Sequence, residues 1–296
     1  MVPEKKLFQA PYSPYLVKDE GKFAVASAPT EPPSDTQNSA TYGKGLKKIT
    51  KDLQVLQPIL YAQGRYAVLV IFQAMDAAGK DSTVRAVMTG INPAGCDVYS
   101  FKKPSGRELA HDYLWRTYRC LPERGYIGIF NRSYYEEVLV VRVHPELLAH
   151  QNLPPHDNLD ALWQERFESI CNMEKHLALN GTVILKFWLN VSKTEQKKRL
   201  LRRINRKDKH WKWSFSDLQE REFWQDYMVA YEEMVNKTSR PWAPWYVVPA
   251  DNKPFMRYCV AGVIRDTLQS LNLEYPAVDE SMGRHLVKAR KQLLAR

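Results

Sequence analysis

The stretch Gln73-Ala74-Met75-Asp76-Ala77-Ala78-Gly79-Lys80-Asp81-Ser82 concentrates residues that suit phosphate chemistry. Small residues let backbone N–H groups converge on phosphate oxygens, and the helix that follows would add its positive N-terminal end. The amides of Ala77, Ala78, Gly79, Lys80, Asp81 and Ser82 would form the cradle, with the Lys80 ammonium as a mobile cation. The pattern departs from the common phosphate loop, because Ala74 replaces the first glycine and Asp81 follows the lysine where Ser or Thr is usual. Asp76 is informative. A carboxylate inside a phosphate cradle would be repelled unless a cation intervened, and Mg²⁺, a hard ion that takes carboxylate and phosphate oxygens, removes the conflict. The competing reading makes Asp76 an N-cap; the metal role fits the surrounding chemistry better.

A second cluster follows Ile127-Gly128-Ile129-Phe130 as Asn131-Arg132-Ser133-Tyr134-Tyr135-Glu136-Glu137. Many phosphate-loop enzymes hold their metal with a carboxylate at this strand end. Asn131 stands there instead, and Glu136 or Glu137 could restore the charge one turn later. Arg132 would face the crevice at the carboxyl ends of the strands, where ligands of open α/β sheets bind. Further along, Lys197, Lys198, Arg199, Arg202, Arg203, Arg206, Lys207, Lys209 and Lys212 form a dense basic run. Arg199, Arg202, Arg203 and Arg206 recur at spacings that put them on one helix face, where like charges repel until a polyanion relieves them. A lid that closes over phosphates and excludes water has this character.

The elements that would position these residues follow from periodicity. Tyr66–Phe72, 97–101, 126–130, 182–189 and 245–248 are short apolar runs, as in strands buried on both faces of a parallel sheet. Helical spacing covers 44–62, 82–89, 107–118, 159–180, 193–204, 216–238 and 253–271. Strand alternating with helix gives an α/β fold with a central parallel sheet. Residues 1–41, rich in Pro and Ser, form an extended arm; residues 42–275 form one α/β domain with a lid near 205–225; residues 276–296 form a basic, helical tail.

Composition bounds the partner. The 296 residues are 44% hydrophobic, enough for a large core, and the net charge is +10, which points to an anionic ligand. The aromatics do not interleave with basic residues in a way that singles out nucleic acid. The absence of a long apolar run or a secretory leader, and four scattered cysteines, predict a cytoplasmic protein without membrane span, disulfide framework or zinc site.

Taken together, the residues resemble the polyphosphate kinase 2 family. The resemblance rests on Met75 to Asp81, Phe130 to Glu136, and the lid stretch Arg206-Lys207-Asp208-Lys209-His210-Trp211-Lys212. It continues through Trp224-Gln225-Asp226-Tyr227, Thr238-Ser239, Ala243-Pro244-Trp245 and Pro249-Ala250-Asp251-Asn252-Lys253, so it spans roughly residues 43–273. It implies a three-layer α/β/α phosphate-loop kinase fold, thymidylate-kinase-like, with a helical lid. It also implies Mg²⁺ (with Mn²⁺ as a substitute ion) and reversible transfer of the terminal phosphoryl group of polyphosphate to a nucleotide. Asn131 and Glu136 resemble the third class of that family, which converts AMP to ADP and ADP to ATP; guanine nucleotides are candidate acceptors too. The family further implies dimers or tetramers. Arg240-Pro241, where a smaller polar residue is common, departs from the pattern.

On this reading Lys80 and the loop amides take the transferring phosphoryl group. Asp76, with Glu136 or Glu137, holds the metal, and Arg132 binds nucleotide phosphates beside Asn131. Arg199, Arg203, Arg206, Lys209 and Lys212 track the polyphosphate. Lys103 and Arg107 are placed near the nucleotide, because the segment after the second strand approaches the acceptor in nucleotide kinases. The alternatives are an ATP-dependent nucleoside monophosphate kinase and a non-catalytic polyanion-binding protein.

Overall fold

A computed structural model describes residues 7–18, 21–34, 39–155 and 158–295. Parts of the predicted arm (1–6, 19–20 and 35–38) and Arg296 of the tail lie outside the described residues. Six strands make one sheet: β1 (Leu16–Val17), β2 (Ala67–Gln73), β3 (Cys96–Ser100), β4 (Ile127–Asn131), β5 (Thr182–Asn190) and β6 (Trp245–Pro249). Their order is β1-β6-β5-β2-β4-β3. All neighbours pair in parallel except β1, which runs antiparallel to β6.

β2 reads as a continuous apolar run because it is central and buried at every position, between β4 and β5. From β2 the chain goes first to β3 and β4 on one side, then to β5 and β6 on the other. The carboxyl end of β2 is therefore the point where the winding reverses, and a crevice opens there. Phe72 lies opposite Asn131 in register and Gln73 opposite Trp188, so the loop after β2 and the end of β4 share one edge.

Two helical layers cover the sheet. On one side α1 (Ser39–Gln63) packs along α10 (Lys253–Ser270), and α10 against α2 (Lys80–Val87). On the other, α6 (Leu159–Leu179) lies on β5 and meets α9 (Trp224–Thr238). The remaining helices are α3 (Gly106–Leu109), α4 (Trp115–Tyr118), α5 (Val140–Val143), α7 (Lys193–Ile204), α8 (Ser216–Gln219) and α11 (Glu280–Leu294).

Two expected helices are corrected. Residues 107–118 form two single turns, α3 and α4, because Ser105 caps the first with a capping box and Asp112 starts a new turn by accepting from Leu114 N. Residues 216–238 break between α8 and α9. The arm lies along the domain. Beyond β1, Phe23 N donates to Asn236 Oδ1 (2.9 Å), Val25 N to Glu232 Oε2 (2.7 Å), and Asp251 N to Thr30 O (2.9 Å). The tail helix α11 is exposed along its length. Among the described residues no helix is long and apolar enough to cross a membrane, and the four cysteines are unpaired.

Candidate active site

The loop after β2 adopts the backbone a phosphate cradle needs. Ala77 (φ 61°) and Gly79 (φ 115°) both take positive φ, as turns that bind anions do, before α2 begins at Lys80, and the Ala78 amide donates to Met75 O (3.3 Å). Gly79 is required twice over. Its φ disfavours any side chain, and a Cβ would lie 3.3 Å from Met256 Cε. Thr83 N and the Ser82 and Thr83 hydroxyls all bond Gly79 O at 2.9–3.0 Å, fixing the first helical turn.

Lys80 is buried, and its ammonium folds back to donate to Ala74 O (2.6 Å) and Met75 O (3.5 Å). Burial, then the neighbouring Arg132 guanidinium, pulls its pKa down to about 8. Asp76, Glu136 and Asp81 oppose that pull. A phosphate arriving in the cradle would restore the charged form, since opposite charge favours it.

The end of β4 supplies the other half. Arg132 has φ 65°, a strained value for a non-glycine residue, and its amide donates to Phe72 O (3.0 Å). Its guanidinium bridges Asp76 Oδ1 (2.7 Å) and Glu136 Oε2 (2.9 Å). With its amide oriented to satisfy both neighbours, Gln73 Nε2 donates to Glu136 Oε1 at 2.9 Å. The structure thus brings Asp76, Lys80, Arg132 and Glu136 into one cluster at the crevice.

Other predicted residues fall elsewhere. Glu137 turns away. Its Oε2 accepts from Arg166 Nη1 and Gln151 Nε2, both at 2.8 Å, because the tight turn Tyr134–Val138 sends consecutive side chains in different directions. That engagement removes Glu137 from the metal set. The Asp81 carboxylate is directed at Asn131 Nδ2 (2.8 Å) and Lys212 Nζ (2.7 Å), so its side chain is a tie between loop, strand end and lid. Burial raises the Asp81 pKa, but the bonds from Lys212 and Asn131 outweigh it and hold the carboxyl low. Lys103 and Arg107 stay exposed; Arg107 lies over the Trp115 ring at 5.9 Å, and no contact among the described residues joins either to Arg132.

Arg199 is the clearest correction to the basic face. It is buried, and its guanidinium donates to Ala78 O, to Ala250 O (2.6 Å) and Asp251 O (3.0 Å), with Glu195 Oε1 at 2.8 Å on Nε. It clamps the phosphate loop to the loop after β6. Arg206 lies beyond the end of α7, so the four arginines do not share one face. Gln196 was not singled out by its sequence; its Nε2 donates to Asp76 O (2.9 Å) from the same helix.

The lid is built differently. Lys207–Lys212 is a 3₁₀ segment preceded by Arg206; Arg206 and Lys209 pair with Asp208, and Lys212 with Asp81. Arg203 Nη1 holds Lys212 O (3.1 Å) and Asp217 Oδ2 (2.5 Å). Burial and the charge of Asp76 push the Asp217 carboxyl up, and the Lys212–Asp81 pair joins this segment to the phosphate loop. Near the loop, Arg85, Arg202, Lys253 and Arg257 form no ion pair among the described residues. Burial and the charges of Arg199, Arg202 and Arg257 lower Lys253 to about 8, and Arg257 Nε is buried without a partner.

The donors can be tested against a metal. Among the described residues no three acidic, His or Cys groups converge as a closed cage. Mg²⁺ needs none, because it keeps several waters and takes one or two carboxylates plus substrate phosphates. Asp76 and Glu136, separated only by the Arg132 guanidinium, suit that role, and Asn131 Oδ1 is a buried acceptor without a partner at the same strand end.

Known proteins resemble this chain over most of its length. The family model described as Polyphosphate kinase 2 matches residues 36–276. The chain is 49% identical over 281 residues to an ADP-polyphosphate phosphotransferase of Rhodopseudomonas palustris, covering 95% of this chain and 97% of the relative. It is 41% identical over 263 residues to an AMP/ADP-polyphosphate phosphotransferase of Meiothermus ruber, covering 88% and 94%. The crystal structure of polyphosphate kinase 2 from Arthrobacter aurescens superposes with a TM-score of 0.84 at 37% identity, over 96% of this chain and 98% of that one.

Proposed function

We propose that this chain, which belongs to the polyphosphate kinase 2 family, moves the terminal phosphoryl group of polyphosphate onto both AMP and ADP with Mg²⁺. One observation carries the reading: the Asp76–Arg132–Glu136 bridge facing Lys80 at the carboxyl ends of β2 and β4. Phosphoryl transfer of this type needs no protein nucleophile. The acceptor phosphate attacks in line, and the protein supplies position and charge.

Each residue then has a task. The Ala77–Ser82 amides and Lys80 hold the transferring group, and Lys80 leaves the Ala74 and Met75 carbonyls to do so. Arg132 holds the acceptor's phosphates at the Asn131 strand end. Asp76, with Glu136 and the Asn131 oxygen, would hold the metal, which when bound neutralises phosphate charge. The donor chain leaves the loop toward β5 and β6, over the unpaired Arg85, Arg202, Lys253 and Arg257, while Arg203, Arg206, Lys209 and Lys212 close from the lid. Acceptor and donor thus approach from opposite sides of β2. Arg199 supports the donor side by holding the loop.

Acceptance of both nucleotides is supported by the likeness to the AMP/ADP-polyphosphate phosphotransferase of Meiothermus ruber and by Asn131 and Glu136, which resemble the class that takes both. The test is a panel of AMP, ADP, GMP and GDP, each with polyphosphate and Mg²⁺ and without ATP. ADP from AMP and ATP from ADP are the expected products. A requirement for ATP as donor would identify a nucleoside monophosphate kinase instead.

A further inference from the structure

One cluster of charge takes no part in the chemistry above. Lys186 is the charged residue in the apolar strand β5, and its side chain is fully buried. Its three ammonium protons go to Glu174 Oε2 (2.7 Å), Tyr135 Oη (2.8 Å) and Thr238 O (2.8 Å). Glu174, on α6 and equally buried, accepts on Oε1 from both Tyr134 Oη and Tyr135 Oη at 2.8 Å. The network continues through Thr238 Oγ1, which accepts from Trp245 Nε1 (2.8 Å). Burial pulls the Lys186 pKa down while Glu174 pulls it up, and burial beside Glu174 holds both tyrosines in the protonated, donating form.

Burying an ion pair is expensive, and apolar residues of the same volume often serve stability as well or better. The connections of this pair suggest another use. Tyr134 and Tyr135 are consecutive, and they sit between Arg132 and Glu136. From one tight turn, Arg132 and Glu136 reach out to the phosphate loop while the two tyrosines reach inward to a single carboxylate oxygen. Arg132 occupies left-handed backbone, a conformation that persists only where the surroundings over-determine it. Locally the turn is held by Arg132 N donating to Phe72 O and by Tyr135 N donating to the Ser133 hydroxyl (3.2 Å). The buried network is its third anchor, tying the turn to β5, α6 and the end of α9.

We infer that the Lys186–Glu174 pair is a positioning device for phosphoryl transfer, holding Arg132 in place for the acceptor, and Glu136 beside it, through the Tyr134 and Tyr135 hydroxyls. The inference rests on the roles proposed above for Arg132 and Glu136. Tyr134 is the cleanest handle, because its hydroxyl bonds Glu174 alone and Phe keeps the ring. Tyr134→Phe is expected to lower kcat about tenfold, with the KM for polyphosphate within about twofold of the parent, since the donor side is untouched.

The decisive arm is a double-mutant cycle with Arg132→Ala. If the hydroxyl acts through Arg132, adding Tyr134→Phe to Arg132→Ala costs little further rate. Glu174→Gln, which keeps the shape and one acceptor, should repeat the pattern, and thermal melting of each variant reports whether it is folded. An equal tenfold loss in both backgrounds, or a lower melting temperature with unchanged kcat, would overturn the inference and leave the site reading standing. Normal turnover in Arg132→Ala alone would overturn the site reading, and the inference with it.

Discussion

The phosphate loop and the lid both carry clustered cations, yet they are built in opposite ways. At the loop, Lys80 and Arg199 are buried, and apart from Arg199 Nε, which bonds Glu195, their donors go to backbone carbonyls of residues 74–78 and 250–251. At the lid, Arg206, Lys209 and Lys212 are solvated and paired only with Asp208 or Asp81. A buried cation with fixed partners sets geometry, and its loss leaves carbonyls unsatisfied in a low dielectric. A solvated cation held by one exposed acid gives up that partner at little cost. On the proposed function the loop would be a preformed cradle, and the lid charge available to an incoming polyanion.

The comparison can be broken at the loop first. Lys80→Ala should stay folded, with a Tm lowered by the Ala74 and Met75 carbonyls it leaves without a donor, and lose about 10² to 10³ in kcat, roughly 3 to 4 kcal/mol of transition-state stabilisation; steady-state rates beside a thermal melt check both halves. Arg199→Ala should fail in the other direction, unfolding about 3 kcal/mol more easily, which lowers Tm by roughly 6 to 12 °C for a domain of this size. A melting curve within about a degree of the parent would show that the clamp does not hold the loop.

A pH titration sharpens the contrast. Lys80 titrates near 8 in the free enzyme, so kcat/KM should fall as pH rises through about 8 and lose about tenfold per unit beyond it. Bound phosphate favours the ammonium, so the limb in kcat alone should lie at higher pH. The sign for stability is the reverse. The folded pKa lies below the unfolded value of 10.5, so the unfolded chain binds more protons between the two, and Lys80 adds stability as pH rises from about 8 to 10.5.

The metal assignment separates a carboxylate that faces the crevice from one that does not. Asp76→Asn should raise the Mg²⁺ concentration for half-maximal rate by about tenfold, while Glu137→Gln, held by Arg166 and Gln151, should leave it unchanged. A titration of rate against Mg²⁺ distinguishes them. The smallest effects belong to the lid. Lys209→Ala and Lys212→Ala should each raise the KM for polyphosphate by about two- to fivefold, under about 1 kcal/mol, and the increase should shrink as salt screens it.

Much of this was legible in the residues, for physical reasons. A strand buried on both faces must be apolar throughout, so β2, β4 and β5 announced themselves, and the phosphate loop followed from its place after β2. The side chains were harder. Arg199 read as part of a charged face because spacing reports helical phase but not what covers the helix, and carbonyls from the loops after β2 and β6 do. Glu136 and Glu137 were equivalent in sequence because a 3₁₀ turn, not an α-helix, decides which of them faces Arg132. Lys186 carried a signal that went unused: a charge inside a run as apolar as β5 must have a buried partner. The short turns of residues 106–118 were beyond periodicity, since neither is long enough to show one.

The claim beneath all of these is that the donor is polyphosphate and the acceptor a nucleotide held at Arg132. The direct measurement supplies polyphosphate labelled in its terminal phosphoryl groups, AMP and Mg²⁺, with no ATP present. The account predicts label in the β-phosphate of ADP from the first turnover, and its loss with Lys80→Ala. ADP that forms without label, or only after ATP is added, would contradict it.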